Sequence, residues 1–434
     1  MNAFIRAFRT PELRAKIFFT LGLLAVYRLG VFIPTPGFDY TNVMICAEPT
    51  LSGGTSVLGM VNVFSGGALL QLSIFSLGVM PYITASIIVQ LLRVVIPRFE
   101  ALHKEGQSGT AKLTQYTRYL TIGLAILQAT TIITLVRSGN FFVGCALEVI
   151  PDQSIPVLLL MVLTMTVGTV IIMWMGEMIT ERGIGNGMSL LIFTSIAASF
   201  PSALGQIFQL QGWMVFSLVV LVALVVMVGM VFVEQAQRRI PVQYAKRMVG
   251  RRMYGGTSTY IPVKINQAGV IPVIFASSIL ALPQLATSFA DDQAAPWVQW
   301  VNTHLVMGAS FSWIYALVYV GLIIFFAFFY VSITFNAEEI ADNMKKYGGF
   351  VPGVRAGRPT ERYLQYVINR IQTPGAIYLA VISLIPLFAL VFLGASQNFP
   401  LGGASLLIII GVGLDTVKQI DAKLQQHHYE GILR

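Results

Sequence analysis

Charge is scarce in this chain. Asp, Glu, Lys and Arg make up 11% of its 434 residues, while 56% are apolar and 11% aromatic. A soluble domain carries about 25% charged residues, so the composition excludes a cytosolic enzyme and a disordered tail protein and points to a membrane protein. Only two cysteines occur, Cys46 and Cys145, which excludes a disulfide scaffold. Histidine is equally sparse. His103, His304, His427 and His428 all lie outside the apolar runs, so no metal or proton-relay cluster falls within them. There is no phosphate-binding glycine loop and no H-E-x-x-H. No cofactor, metal site or catalytic group is read from the sequence, and no enzymatic activity is expected.

What the chain has instead is ten apolar stretches, near residues 17–35, 68–92, 116–136, 155–176, 184–200, 213–233, 267–289, 308–335, 374–394 and 403–417. Ten spans of about 20 residues fill nearly half the chain and leave little for a soluble domain. Continuous apolar runs indicate helices, because a membrane barrel shows alternating strands. The first run follows a basic stretch, as a secretory signal does. It ends in Ile33-Pro34-Thr35-Pro36 without a small-residue cleavage site, so a retained span is expected.

The 28 Lys and Arg residues set the orientation. They gather before the first run, in 93–118, 234–264 and 333–370, and after 417; the alternate loops hold only Arg137. By the positive-inside rule both termini are cytoplasmic, which requires an even number of spans. Cys46 and Cys145 then fall on the outer side. Two readings stay open for them: unrelated small residues, or a disulfide in an oxidising compartment.

An internal repeat is legible. Residues 78–88 read GVMPYITASII and residues 269–279 read GVIPVIFASSI, identical at seven of eleven positions. Residues 187–192 read GMSLLI and residues 403–408 read GASLLI, identical at five of six. Each pair lies five spans apart, so its members run oppositely through the membrane. That is an inverted repeat, with the functional path between the halves. The expected fold is an all-α membrane protein of ten transmembrane helices in two inverted five-helix halves, 1–200 and 213–434. Pro81 and Pro272, inside the matched segments, are expected to kink their helices.

An ion-coupled carrier ordinarily buries a carboxylate near the midplane. The central parts of these runs hold almost no ionisable residue. Arg28 lies toward the outer end of the first run, where it can snorkel to the interface, and Glu177 and Glu181 flank the end of the fourth. This favours a passive conduit over the alternative, a secondary transporter of a small solute. Thr84, Ser86, Gln90 and Asn266 are polar and near the repeats. They read either as interhelical hydrogen-bond glue or as part of an interface that opens. RRMY and TSTYIPVKI flank Gly255-Gly256 and are expected to form a hairpin across it.

Longer motifs carry a family resemblance: NVFSGGAL at 62–69, GVMPYITASIIVQLL at 78–92, ERGIGNGMSLLIF at 181–193, KINQAGVIPVIFASSI at 264–279, NAEEIADNMKKYGGFVPGVRAGRPT at 336–360 and SLLI at 405–408. Over essentially its whole length the chain resembles the SecY family, the central subunits of the bacterial Sec protein-translocation channel. The resemblance implies a clamshell of two halves around a central pore that translocates secretory polypeptides and releases hydrophobic segments sideways into the cell inner membrane. It places a pore ring at Val79, Ile83, Met188, Ile192, Ile274 and Ile408. It places a plug over 56–67, with Ser56, Val57, Leu58, Val61, Asn62, Phe64, Gly66 and Gly67. Residue composition alone reads that segment as an interfacial turn of helix. It places a lateral gate at Thr84, Ser86, Gln90 and Asn266, and partner contacts at Arg251, Arg252 and Arg355 in the cytoplasmic loops 234–264 and 333–370. Implied partners are SecE clamping the halves, SecG at the periphery, the SecA motor ATPase, the ribosome, signal sequences and nascent polypeptides, and membrane lipids. Basic loops also satisfy topology and anionic headgroups without any partner.

Overall fold

The computed structural model describes residues 8–430 other than 9, 54–61, 63–64, 140, 143–144, 146, 245–246, 250–251, 255–257, 289–294, 306–311 and 394–402. Helix α1 (Pro11–Gly30) opens with proline in its first turn, where a missing N–H costs nothing. A short helix α2 (Tyr40–Gly53) precedes α3 (Met80–Val95), and α4 (Pro97–Lys104) leads into α5 (Gln107–Arg137) and α6 (Ile155–Arg182). The next helical run, Gly187–Gln235, loses helical geometry at Gly212, with φ 77°. It divides there into α7 (Gly187–Gln209) and α8 (Gly212–Gln235).

The second half continues with strands β1 (Gln237–Tyr244), β2 (Arg247–Val249), β3 (Arg252–Tyr254) and β4 (Ser258–Lys264), then α9 (Ile271–Ser288) and the short α10 (Pro296–His304). Helices α11 (Trp313–Thr334) and α12 (Ala337–Lys346), strand β5 (Gly349–Phe350), α13 (Arg358–Leu393) and α14 (Gly403–Glu430) complete it. Each of the ten apolar runs carries a helix. Among the described residues six are long and apolar enough to cross a membrane: α5, α6, α7, α8, α11 and α13. Their outward faces are apolar, with Leu159, Leu163 and Trp174 on α6 and Leu221, Val225 and Phe232 on α8 all exposed. Side chains of that kind suit lipid, not water.

The structure differs from three sequence expectations. The second apolar run is helical only from Met80; residues 66–79 are turns. The backbone there is satisfied in other ways: Ile74 N–H donates to the Ile33 carbonyl, Thr35 N–H to Leu72, Ser73 N–H to Ala68 and Gly78 N–H to Phe75. Ala68, Leu69, Leu72 and Phe75 are buried, and irregular backbone at membrane depth is tolerated where protein covers it. Pro81 and Pro272 kink nothing, because both lie in the first turn of their helices, where proline's fixed φ is favourable. The hairpin is also arranged differently. β4 pairs antiparallel with β1, from Gln237↔Lys264 to Gln243↔Ser258, and RRMY contributes β3, which pairs with β2 through Val249↔Arg252. The register is closed by that inner pairing. β5 adds to the other edge of β1 through Gln243↔Phe350, joining the two large basic loops.

On the other side of the molecule Cys46 of α2 and Cys145 form a disulfide with a Cα–Cα separation of 5.5 Å. Of the two readings left open, the structure takes the bonded one.

Candidate functional site

The repeated motifs share one local structure. Gly78 and Gly269 occupy equivalent places, and both take positive φ, 57° and 61°, which a side chain would resist. Each is followed by a valine whose carbonyl accepts the opening helix bond: Ile83 N–H donates to Val79 and Ile274 N–H to Val270. Counted from Met80 and Ile271, Ile83 and Ile274 are both fourth in their helices. Counted from Gly187 and Gly403, Ile192 and Ile408 are both sixth. The four isoleucines therefore sit within the first two turns of α3, α7, α9 and α14.

Helix α7 is started by Asn186, whose Oδ1 accepts from Met188 N–H at 3.1 Å and Ser189 N–H at 3.4 Å. That cap satisfies two orphan donors and fixes where Met188 emerges. Val79, Met188, Ile192 and Ile408 then pack into a single apolar cluster with Tyr27, Phe75, Ile172 and Ile196, and Ile83 lies against its edge. The buried side chains of the cluster come from α1, the irregular stretch before Met80, α6 and α7, and from α14 late in the chain. Ile408 is 3% exposed and Val79 2%. Ile274 is buried on α9 as well, yet outside the membership of this cluster; its neighbour Val270 packs against it.

The other sequence-derived residues are placed as follows. Of the plug set, Ser56, Val57, Leu58, Val61 and Phe64 lie outside the described residues. Asn62 Oδ1 accepts from Leu70 N–H at 3.1 Å, and Gly67 N–H donates to the Asn62 carbonyl at 2.9 Å. Of the gate set, Thr84 bonds back to the Met80 carbonyl within α3, and Ser86 and Gln90 are half-buried on the same helix. Asn266 is buried before α9. Its amide donates to Glu234 Oε1 at 2.7 Å, and its Oδ1 accepts from Gly269 N–H at 3.1 Å. Of the partner set, Arg251 lies outside the described residues and Arg252 is in β3. Arg355 is exposed on a turn braced by the Thr360 hydroxyl, which donates to the Arg355 carbonyl at 2.7 Å.

Several contacts had no signal in the sequence. Tyr27 Oη and Ser195 Oγ share a buried hydrogen bond at 2.6 Å. Arg28 Nη1 donates to the Gly66 carbonyl at 2.7 Å. Arg118 grips Glu177 with two bonds, Nε to Oε1 at 2.9 Å and Nη2 to Oε2 at 2.8 Å. Each joins residues far apart in the chain, so no spacing rule reaches it. No group of His, Cys, Asp and Glu able to hold a metal occurs among the described residues.

Helices with lipid-suited faces, packed around an apolar cluster that joins early and late parts of the chain, define a polytopic membrane protein. A sequence model of the SecY family matches residues 73–417. The protein translocase subunit SecY of Streptomyces coelicolor is 61% identical, the alignment covering 100% of both chains. A solved protein-conducting channel superposes with a TM-score of 0.61 at 15% identity, covering 93% of this chain and 91% of the other. Sec61 in the canine ribosome–channel complex from the endoplasmic reticulum gives 0.60 at 16% identity over the same shares. The chain belongs to the SecY family. It is a protein-conducting translocation channel of the membrane, and nothing among these relatives supports a small-solute transporter.

Proposed function

We propose that Val79, Ile83, Met188, Ile192, Ile274 and Ile408 form the constriction through which the polypeptide passes. The observation that carries this reading is the cluster in which Val79, Ile83, Met188 and Ile192 of one half meet Ile408 of the other. Apolar contact has little driving force against lipid tails. Against a water-filled path it is different, because each such side chain gains about 1.5–3 kcal/mol on leaving water. The constriction therefore closes spontaneously when no chain occupies it, and a dewetted apolar neck excludes ions without a charged filter. Flexible aliphatic side chains can re-form around a passing segment of any sequence. The channel does no chemistry of its own, and the driving force comes from the partner that feeds it.

The halves 1–200 and 213–434 act as the two leaves, and segment 56–67 closes the outer side as a plug. Thr84, Ser86 and Gln90 on α3 face the lateral route that hydrophobic segments take into lipid, with Asn266 setting the start of α9. The β1–β4 hairpin and the turn at Arg355 form the cytoplasmic docking face for SecA and the ribosome, where Arg251, Arg252 and Arg355 meet acidic protein or RNA phosphate. SecE clamps the halves and SecG lies at the periphery. The location is the cell inner membrane with both termini cytoplasmic, as the basic loops require.

The test is a photo-reactive residue in place of Ile192 in the complete channel, with a precursor stalled in transit. The constriction reading expects cross-links to the precursor there and few at lipid-facing Leu163. Equal labelling at both positions would overturn it.

A further inference from the structure

Arg28 is a charged side chain in the outer part of α1, a position from which a free guanidinium reaches for the interface. It does not do so here. Its Nη1 donates to the Gly66 carbonyl at 2.7 Å, and its guanidinium carbon lies 5.4 Å from the centre of the Phe32 ring. The cation is thus held between a peptide carbonyl on one side and an aromatic face on the other, an arrangement that strengthens as water is removed.

The acceptor is no ordinary carbonyl. Gly66 and Gly67 take positive φ, 70° and 92°, and form the turn at the head of the irregular stretch that ends at Val79. A Cβ on Gly66 would come within 3.0 Å of Arg28 Nη1 and 3.1 Å of Ser195 Cα, so the turn is pressed between α1 and α7. Ser195 is itself tied to Tyr27, the neighbour of Arg28, at 2.6 Å. Further along, the stretch is held by backbone bonds to the Ile33–Thr35 segment. It has no helical ladder of its own before Met80, so these ties fix where it lies and where Val79 is delivered to the constriction.

We infer that Arg28 is a positioning residue for the closed channel: its bond to Gly66 pins the head of the irregular stretch, and through that stretch holds Val79 in the seal. This rests on the constriction reading above. It assigns the membrane-embedded cation to gating, not to topology or anchoring at the interface.

The experiment compares resting single-channel conductance of the complete channel carrying Arg28→Met, Arg28→Lys or Ile408→Asn with wild type. Peak conductance with a chain in transit is recorded alongside. Loss of one hydrogen bond to a charged group corresponds to a factor of about ten or more. Arg28→Met is expected to raise the resting open probability about tenfold. Arg28→Lys, which keeps the charge and one donor, should fall between Met and wild type, and peak conductance should not change. A purely structural role would lower the amount of channel and leave the conductance of each channel alone. Resting conductance of Arg28→Met at the wild-type level overturns the inference. If Ile408→Asn leaks in that case, the constriction stands without the latch; if both stay sealed, both readings fall. Should Arg28→Met not accumulate, Arg28→Lys decides, a resting leak supporting the latch and a wild-type seal overturning it.

Discussion

Asn266 hydrogen-bonds to Glu234 at 2.7 Å, and this contact ties the segment entering α9 to the end of α8. The residue read from sequence as part of a gate cluster with Gln90 is therefore held by its own half. In the proposed gate Asn266 would act through the position of α9, whose first turn carries Ile274.

Replacing Asn266 by Leu removes that tie. Glu234 is half-buried, and an interhelical bond of this kind in a membrane is worth about 0.6 kcal/mol. That equals about one leucine on the insertion scale. A graded series of test segments should enter lipid at a threshold lowered by about one leucine. Glu234→Gln, which still accepts from Asn266, should behave as wild type. An unchanged threshold for Asn266→Leu would count against a gating role.

The Cys46–Cys145 disulfide closes a loop of 99 residues. For a chain free in water that corresponds to about 4.7 kcal/mol of denatured-state entropy. Here α5, which lies inside the loop, should stay inserted when packing is lost, so the gain should fall to about 2 kcal/mol. Alkylation of the intact protein should label neither thiol until reductant is added, and Cys46→Ser should lower thermal stability in detergent by a few degrees. Two thiols labelled without reductant would refute the pairing.

Arg118 and Glu177 join α5 to α6 by a two-pronged bond in which Arg118 is 39% and Glu177 20% exposed. Lysine cannot reproduce that fork. Arg118→Lys should cost about 1 kcal/mol, the upper range for a pair that water reaches, and a double-mutant cycle with Glu177→Gln should return a coupling of that size. A cycle that closes at zero would show that the pair is ornamental.

The turn at Arg355 is shaped by backbone and by Thr360, not by the arginine side chain, so Arg355→Glu should leave folding intact. Translocation driven by SecA should drop severalfold, because charge reversal opposes docking of an acidic partner. Unimpaired SecA-driven translocation would remove Arg355 from the docking face.

Much of this architecture was legible in residue order, and the exceptions have physical causes. Each of the ten apolar runs carries a helix, whereas the short α2, α4, α10 and α12 lie outside them, and GVMPYITASII against GVIPVIFASSI pointed to two helix starts of the same build. What hydropathy cannot tell is whether an apolar run is helical: residues 68–79 are as greasy as a helix, but their ladder is replaced by turn bonds within the stretch and by two bonds to the Ile33–Thr35 segment. Pro81 was misread for a related reason, since only the true helix start shows that it lies in a first turn. Gly255-Gly256 resembles a hairpin turn, but β2 and β3 close the register before it. Arg28 stood out as a cation in an apolar run, but its partner Gly66 did not, and Ser195 and Glu234 gave no signal, because such partners are set by packing across the chain and not by spacing.

The central claim is that apolar side chains from the two halves seal the resting channel. Ile408→Asn tests it most directly, because Ile408 is the buried member that the second half contributes to the cluster. An amide there wets the neck and removes part of the contact that closes it. Resting single-channel conductance of the folded Ile408→Asn channel should rise well above wild type, with precursors bearing defective signal sequences now accepted. A resting conductance equal to wild type in a normally folded channel would contradict the account.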